Sequence, residues 1–426
     1  MYRLILSIFL TFSFAYPYDI DKLLDEAIKE VESEKSERYY DLALKLFNEG
    51  VYRQAVKNGE IFLDKNGESY KKLDDIVLLL GISYYKLGET KKLFDLFVRY
   101  GSSDDISIDT RRKLFVYSNN LFIRKKEWKR LKIVRKKGKY LLENKKYQWK
   151  LKGKFSKFDP MVNIFRLKEG NLIGENQIFI TDRNLTLIEI AKKLDMGYDE
   201  LKIANPHIDP FDILKGEAVF VPRRRLLPQQ DFEFGTIYIN LSEKRLYYPL
   251  IIDGDPYVIT FPVGIGTDNA KSPIGEFKIT QKKENPEWIV PKSIREEDPS
   301  LPPIVPPGPD NPLGVRAMRL GYTDYLLHGT SKRFGIGMQV SHGCIRMYNK
   351  DVVRLFDIVR KGTKVVIAEK GYKIFKNSKV YVEIFDLKNK DKKNVRSLLK
   401  ERGIDVTSYL IDFYNEEKRG FAVPLN

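Results

Sequence analysis

Cysteine and histidine are almost missing from this chain: 426 residues carry one cysteine, Cys344, and three histidines. A single cysteine excludes an internal disulfide, whatever the compartment. Long apolar runs are missing as well. The stretch from Leu4 to Phe14 is shorter than the roughly 20 residues that span a bilayer, and no later stretch approaches that length without charges. Acidic residues are scarce in one block. From Arg111 to Lys157 there are 19 lysines and arginines against two acids, Glu127 and Glu143, which accounts for the whole net charge of +17. A basic block of that kind points to an anionic partner, with a solvated helical face as the plain alternative.

Apolar residues make up 42% and aromatics 12%, enough to build packed cores, so a disordered chain is excluded. The length fits two to four domains. Met1 to Ala15 reads as a secretory signal: Arg3 supplies the positive start, Leu4 to Phe14 the apolar run, and Ser13-Phe14-Ala15 the small residues at a cleavage site. No cysteine follows it, so no lipid anchor on cysteine is expected. The mature chain is expected outside the cytoplasm. There the anionic partner of the basic block would be lipid headgroups or a wall polymer, and nucleic acid is not expected.

Residues 19–150 read as helical, with apolar residues at helical spacing around Leu42, Leu46 and Phe47 and from Leu78 to Tyr85. The region repeats every 38 residues. Gly50, Gly88 and Lys126 align, as do Tyr52, Thr90 and Trp128, and Ala55, Leu93 and Leu131. Paired helices at such a period predict an α-solenoid, because each pair buries its apolar face on the next. The region resembles degenerate tetratricopeptide repeats, with Lys126 in place of a turn glycine. Such arrays hold peptides or partner proteins, so the resemblance implies a protein partner; a spacer is the alternative.

Residues 176–224 form a short second module. Ile178-Phe179-Ile180 reads as a strand, Leu185 to Leu194 and Tyr198 to Ala204 as helices, and Ala218 to Val221 as a closing strand. Ile190-Ala191, Leu201, Asn205-Pro206, Gly216 and Val221-Pro222 resemble a LysM-type βααβ carbohydrate-binding domain. Such domains bind N-acetylglucosamine chains. Arg183-Asn184-Leu185 departs from the Gly-Asp-Thr common before the first helix, which leaves a packing role as the alternative.

From 234 to 369 the segments become short, β-rich and separated by glycine and proline. Strands are predicted over Thr236 to Leu241, Arg245 to Pro249, Tyr257 to Gly264, Gly275 to Thr280 and Thr363 to Ala368, which suggests a sandwich or barrel. Pro299 to Pro312 holds seven prolines and reads as a stiff extended loop. Asp351 to Val359 reads as a helix. The tail, 370–426, reads as a strand at Val380 to Phe385 and helices near Val395 to Arg402 and Ser408 to Glu417.

The chemistry centres on Ser341-His342-Gly343-Cys344-Ile345-Arg346, with His328 sixteen residues before the cysteine. A thiolate nucleophile needs a base, something to orient the base, and donors for the oxyanion. Cys344 is the candidate nucleophile. The backbone amides of Gly343 and Cys344 are candidate oxyanion donors, and glycine permits close approach. Either His328 or His342 could be the base; spacing alone does not choose. Arg346 shares a strand face with Cys344 and suits a carboxylate, with a surface salt bridge as the plain alternative. A metal held by His328, His342 and Cys344 lacks a fourth ligand, so no metal or other cofactor is expected.

His328 followed by Ser341-His342-Gly343-Cys344-Ile345-Arg346 resembles the signature of the L,D-transpeptidase family, enzymes that modify peptidoglycan. Lys271 to Phe277, Asn285-Pro286-Glu287-Trp288, Pro306 to Gly314 and Phe334-Gly335-Ile336-Gly337 carry the same likeness, which covers about Ile178 to Phe385. The subgroup it resembles is the Gram-negative periplasmic enzymes with an N-terminal LysM-like module. The resemblance implies that Cys344 attacks the third residue of a stem tetrapeptide and releases the terminal D-Ala. A thioester remains, and an amine of another stem or of a wall-anchored protein resolves it. Water in that step would give an L,D-carboxypeptidase, and an inactive third domain would leave a peptidoglycan-binding scaffold. It further implies His328 as the base, held through its other nitrogen by a nearby carbonyl, His342 as a second imidazole, and Arg346, Ser341 and Gly329 on the substrate side. The proline-rich loop would be a lid.

Overall fold

The computed structural model describes residues 36–65, 70–143, 151–160, 162–167, 171–228, 232–332, 334–376 and 378–425. The expected signal segment, Met1 to Ala15, lies outside them. None of the described helices is long and apolar enough to cross a membrane.

Helices 36–48, Tyr52–Lys65, Tyr70–Leu87, Thr90–Tyr100, Ile108–Arg124 and Trp128–Lys137 form three antiparallel pairs. The tight turn in each pair falls at Gly50, Gly88 and Lys126, and all three take positive φ: 75°, 69° and 57°. Glycine adopts that backbone freely, whereas Lys126 pays a strain cost. The pairs stack through Tyr70–Leu87 on Ile108–Arg124 and Thr90–Tyr100 on Trp128–Lys137.

The chain's own tail occupies the first helices of these pairs. Helix Ser408–Glu417 sets Phe413 edge-on to Phe47, 5.4 Å between ring centres, and Asn48 donates to the Tyr409 carbonyl at 2.9 Å. Tyr40 and Tyr414 both donate to Asp75, at 3.0 and 3.3 Å. Lys418 bridges Asp75 at 2.7 Å and Asp74 at 3.1 Å, and Lys113 donates to the Glu417 carbonyl. An intramolecular helix thus covers this part of the helical pairs. The tail and the helices it covers are separated by over 300 residues, so no local pattern announced the contact.

The second module pairs Gln177–Ile180 with Ala218–Val221 antiparallel, with helices Leu187–Leu194 and Tyr198–Ala204 between them. Thr186 and Glu189 form a capping box at the first helix. The module is wedged between its neighbours. On one side Asn120 both accepts from and donates to the backbone of Ala218, at 2.7 and 2.9 Å. On the other, the amides of Tyr198 and Asp199 donate to the carbonyls of Ile336 and Gly337, each at 3.1 Å.

The third region is a nine-stranded sheet. Its order is Ile164–Arg166, Asp255–Pro262, Arg245–Ile252, Ile237–Asn240, Lys364–Ala368, Gly275–Glu284, Arg316–Leu320, Leu326–His328 and Ile345–Arg346. Pairings are antiparallel except Ile237–Asn240 with Lys364–Ala368 and Leu326–His328 with Ile345–Arg346. A bulge between Ile279 and Gln281 bends the sheet, and a bridge joins Arg346 of the last strand to Gly264, just past Asp255–Pro262. Helix Asn349–Ile358 covers one face through Val352, Leu355 and Phe356. The expected strand bounds hold to within a few residues, apart from Gly275–Glu284, which continues past Thr280.

Buried charge keys these regions together. Glu200 of the second module accepts from Arg245 of the sheet at 2.7 Å and from Arg225 at 3.2 Å. Burial alone would raise the Glu200 carboxyl, but the two guanidiniums outweigh it and hold its pKa at about 2. Lys373 of the tail reaches Glu243 at 2.7 Å and Glu383 at 3.4 Å.

Lys418 tests how firmly the tail is held. Lys418→Ala leaves Asp74 and Asp75 without their cation, and the stability loss is expected at about 3–5 kcal/mol. Denaturant unfolding of the variant checks this. An unchanged midpoint would show that the carboxylates are not sealed from water.

Candidate active site

Leu326–His328 and Ile345–Arg346 run parallel, with Leu327 opposite Ile345 and His328 opposite Arg346. Leu327 and Ile345 are fully buried and fix this register through the core. The Met347 amide donates to the His328 carbonyl at 2.8 Å, and Arg346 and Gly264 exchange both backbone hydrogen bonds at 2.9 Å. Cys344 therefore stands at the entrance of a strand locked on both sides.

The turn before it is built around Gly343, which takes φ +97°. A Cβ there would lie 2.6 Å from the Tyr325 ring and 3.1 Å from the Lys271 carbonyl. Gly266 is equally confined, since its Cβ would lie 2.9 Å from the Gly343 Cα and 2.1 Å from the Ala270 carbonyl. The Ser272 hydroxyl accepts from the Gly266 amide at 2.9 Å. Lys271 and Ser272 thus form the wall behind the cysteine turn. Ser341 is buried and donates to the Cys344 carbonyl at 2.6 Å, closing the turn.

Cys344 is partly buried, and its Sγ lies 3.8 Å from the Asp324 carbonyl. Burial pushes the thiol pKa up, against the smaller opposing effects of the Leu326 backbone, Arg346 and Arg319. His328 is 3% exposed. Burial, with the Arg346 charge, pulls its pKa down to about 4, despite the Gly329 and Leu313 backbone acting the other way. Its Nδ1 makes no well-formed hydrogen bond to a described residue, and the Gly329 and Leu313 backbone lies beside the ring. At neutral pH the site rests as a neutral thiol and a neutral imidazole, and no hydrogen bond joins Cys344 to either histidine. Such a pair must move the proton as the bond to sulfur forms.

The other expected residues are less central. His342 is exposed and faces Glu297 at 3.1 Å, on the short helix Lys292–Glu297. That helix lies between Trp288–Ile289 and Ile304–Val305, which pair as a hairpin, so the segment just before the proline-rich loop reaches the cysteine turn. Arg346 is partly buried and forms no ion pair with a described residue, unlike the surface salt bridge weighed from the sequence. Gly329 packs against Asn349, where a Cβ would lie 2.2 Å from the Oδ1.

Two positioning residues were not picked out from the sequence. Asn349 clamps the loop after His328, accepting from the Thr330 amide at 3.0 Å and donating to its carbonyl at 2.9 Å. Tyr325 packs on Gly343. The only sequence signal for Tyr325 is its alternation with Leu327.

The raised thiol has a direct consequence. Alkylation of Cys344 by iodoacetamide is expected to stay slow at pH 7 and to climb above pH 9. His328 stays neutral down to about pH 4, so its protonation should leave no inflection between pH 5 and 8. A rate already at plateau by pH 7 would indicate a preformed thiolate–imidazolium pair instead.

Residues 235–367 match the family model described as the L,D-transpeptidase catalytic domain, YkuD. The chain is 39% identical over 212 residues to the probable L,D-transpeptidase YcfS of Escherichia coli K12, covering 48% of this chain and 65% of that protein. It is 37% identical over 209 residues to the probable L,D-transpeptidase YbiS of the same strain, covering 47% and 67%. Against the putative L,D-transpeptidase YqjB of Bacillus subtilis 168 the identity is 35% over 141 residues, covering 28% and 74%. The chain thus spans about two thirds of the length of the E. coli relatives. With the lone cysteine set between His328 and Arg346 on this sheet, the chain belongs to the L,D-transpeptidase family.

Proposed function

We propose that the chain is an L,D-transpeptidase that acts on peptidoglycan stem tetrapeptides. The observation that carries this reading is the parallel register of Leu327–His328 with Ile345–Arg346. It brings a buried neutral imidazole to the strand that Cys344 opens. Cys344 Sγ attacks the carbonyl of the third residue while His328 takes the thiol proton. The C–N bond to the terminal D-Ala breaks, and D-Ala leaves with that proton. An acceptor amine, from a neighbouring stem or a wall-anchored protein, then attacks the thioester and restores the thiol. The Gly343 and Cys344 amides hold the oxyanion.

Burial and neutrality support His328 as the base over His342, which is exposed and turned toward Glu297. His342 serves as a second imidazole that links the turn to helix Lys292–Glu297, just before the proline-rich segment. Arg346, free of any described carboxylate, is suited to a substrate carboxylate. Ser341 and Gly329 shape the substrate side by holding the turn and the loop after His328. The βααβ module at 176–224 is read as LysM-like and the helical pairs as tetratricopeptide-like. Met1 to Ala15 is read as the signal that delivers the chain to the periplasm, where the basic block meets an anionic component of the envelope.

The order of the two histidines is testable. Thioester formation in His328→Ala should fall about 10²–10⁴-fold, and in His342→Ala by much less. The reverse order would identify His342 as the base. Mass spectrometry of products from tetrapeptide muropeptides should show D-Ala release with 3→3 crosslinked dimers. Tripeptides alone would make the enzyme a carboxypeptidase.

A further inference from the structure

Helix Trp128–Lys137 closes the helical region, and its two sides differ sharply. The inward side is apolar or paired. Leu131 and Val134 are buried, Arg130 bridges Glu127 at 2.6 Å, and Arg135 donates to Asn119 at 3.0 Å and to the Gly216 carbonyl at 2.9 Å. The outward side carries Trp128, Lys129, Lys132, Ile133, Lys136 and Lys137. Trp128–Lys132–Lys136 and Lys129–Ile133–Lys137 follow i, i+4 spacing, so all six fall on one half of the helix. Trp128 is 60% exposed and Ile133 is 42% exposed. None of these lysines forms an ion pair with a described residue, nor do Lys125 and Lys126 in the turn just before.

A charge block alone fits any polyanion. An exposed tryptophan among unpaired lysines fits a narrower class of surface. The indole ring gains by leaving water while its N–H stays wet, and lysine stems lie on apolar material with their ammonium groups outside it. Those are the conditions at the headgroup level of an anionic bilayer. Ten residues cannot span a bilayer, so the helix would lie along it. A second element carries the same feature. Phe211 is 79% exposed, in a second-module loop that Arg124 ties to this edge by donating to the neighbouring Asp212 carbonyl at 2.5 Å.

We infer that the outward side of Trp128–Lys137 is a docking surface for an anionic phospholipid bilayer. The inference is independent of the transpeptidase reading, and its test does not use activity. The full chain should float with vesicles containing phosphatidylglycerol and not with pure phosphatidylcholine. Docking should blue-shift tryptophan fluorescence in the wild type, and the shift should vanish in Trp128→Phe. Reversal of Lys129, Lys132 and Lys136 to glutamate should weaken binding at least about tenfold, as should high salt. Trp128→Ala should weaken vesicle binding while leaving any retention on soluble polyanions unchanged. Equal vesicle binding by the triple reversal would overturn the proposal. Binding without a Trp128-dependent blue shift would also overturn it, and would mark the face as a polymer-binding surface.

Discussion

The site rests on a turn that only glycine can make. Gly343 has φ +97°, with the Tyr325 ring and the Lys271 carbonyl where a side chain would go. That turn feeds Cys344 into the strand Ile345–Arg346, whose parallel pairing sets His328 opposite Arg346. Parallel pairing at a sheet edge requires a long connection. Here residues 329–344 make that connection and also carry Gly337, which receives the second module. Imidazole and guanidinium therefore come from two adjacent strands whose register is fixed by buried Leu327 and Ile345, and the nucleophile from the turn that enters one of them. A slip of one residue in Ile345–Arg346 would take Arg346 out of register with His328.

Around this centre the chain spends buried charge on holding its parts in one arrangement. Glu200 with Arg225 and Arg245 joins the second module to the sheet, Lys373 with Glu243 and Glu383 adds the tail, and Lys418 with Asp74 and Asp75 adds the helical pairs. Each such cluster costs desolvation that its Coulomb attraction offsets only with good geometry. In return, a wrong docking strands a charge. The second module is thereby a fixed shoulder of the catalytic domain, resting on the loop that leads to the cysteine.

Local structure was the most legible in the sequence. Ser408–Glu417 and Tyr198–Ala204 appear with the bounds their periodicity predicts, and Thr407 caps the first of them. Gly50, Gly88 and Lys126 were legible as equivalent turns because each needs left-handed backbone, even where lysine supplies it. The reading stopped short at Gly275–Glu284, whose second half is polar and is held by pairing with Arg316–Leu320. It missed Ile164–Arg166, a three-residue strand that pairs with residues over 90 positions away. Helix Asn389–Lys400 begins earlier than expected because its first turns are charged. Cys344, His328 and Arg346 stood out through rarity and spacing. Tyr325 and Asn349 did not, because filling space beside Gly343 and clamping Thr330 leave no mark in a single sequence. The buried acids and bases were invisible for the same reason: their partners are far away in the chain.

Every role assigned at this site depends on Cys344 carrying the acyl group. Intact-protein mass spectrometry with a stem tetrapeptide donor and no acceptor amine tests it most directly. The expected adduct equals the donor less its terminal D-Ala, sits on Cys344, is released by hydroxylamine and is absent from Cys344→Ala. A correctly folded protein that gains no adduct, or one that still gains it after Cys344→Ala, would rule out Cys344 as the acyl carrier.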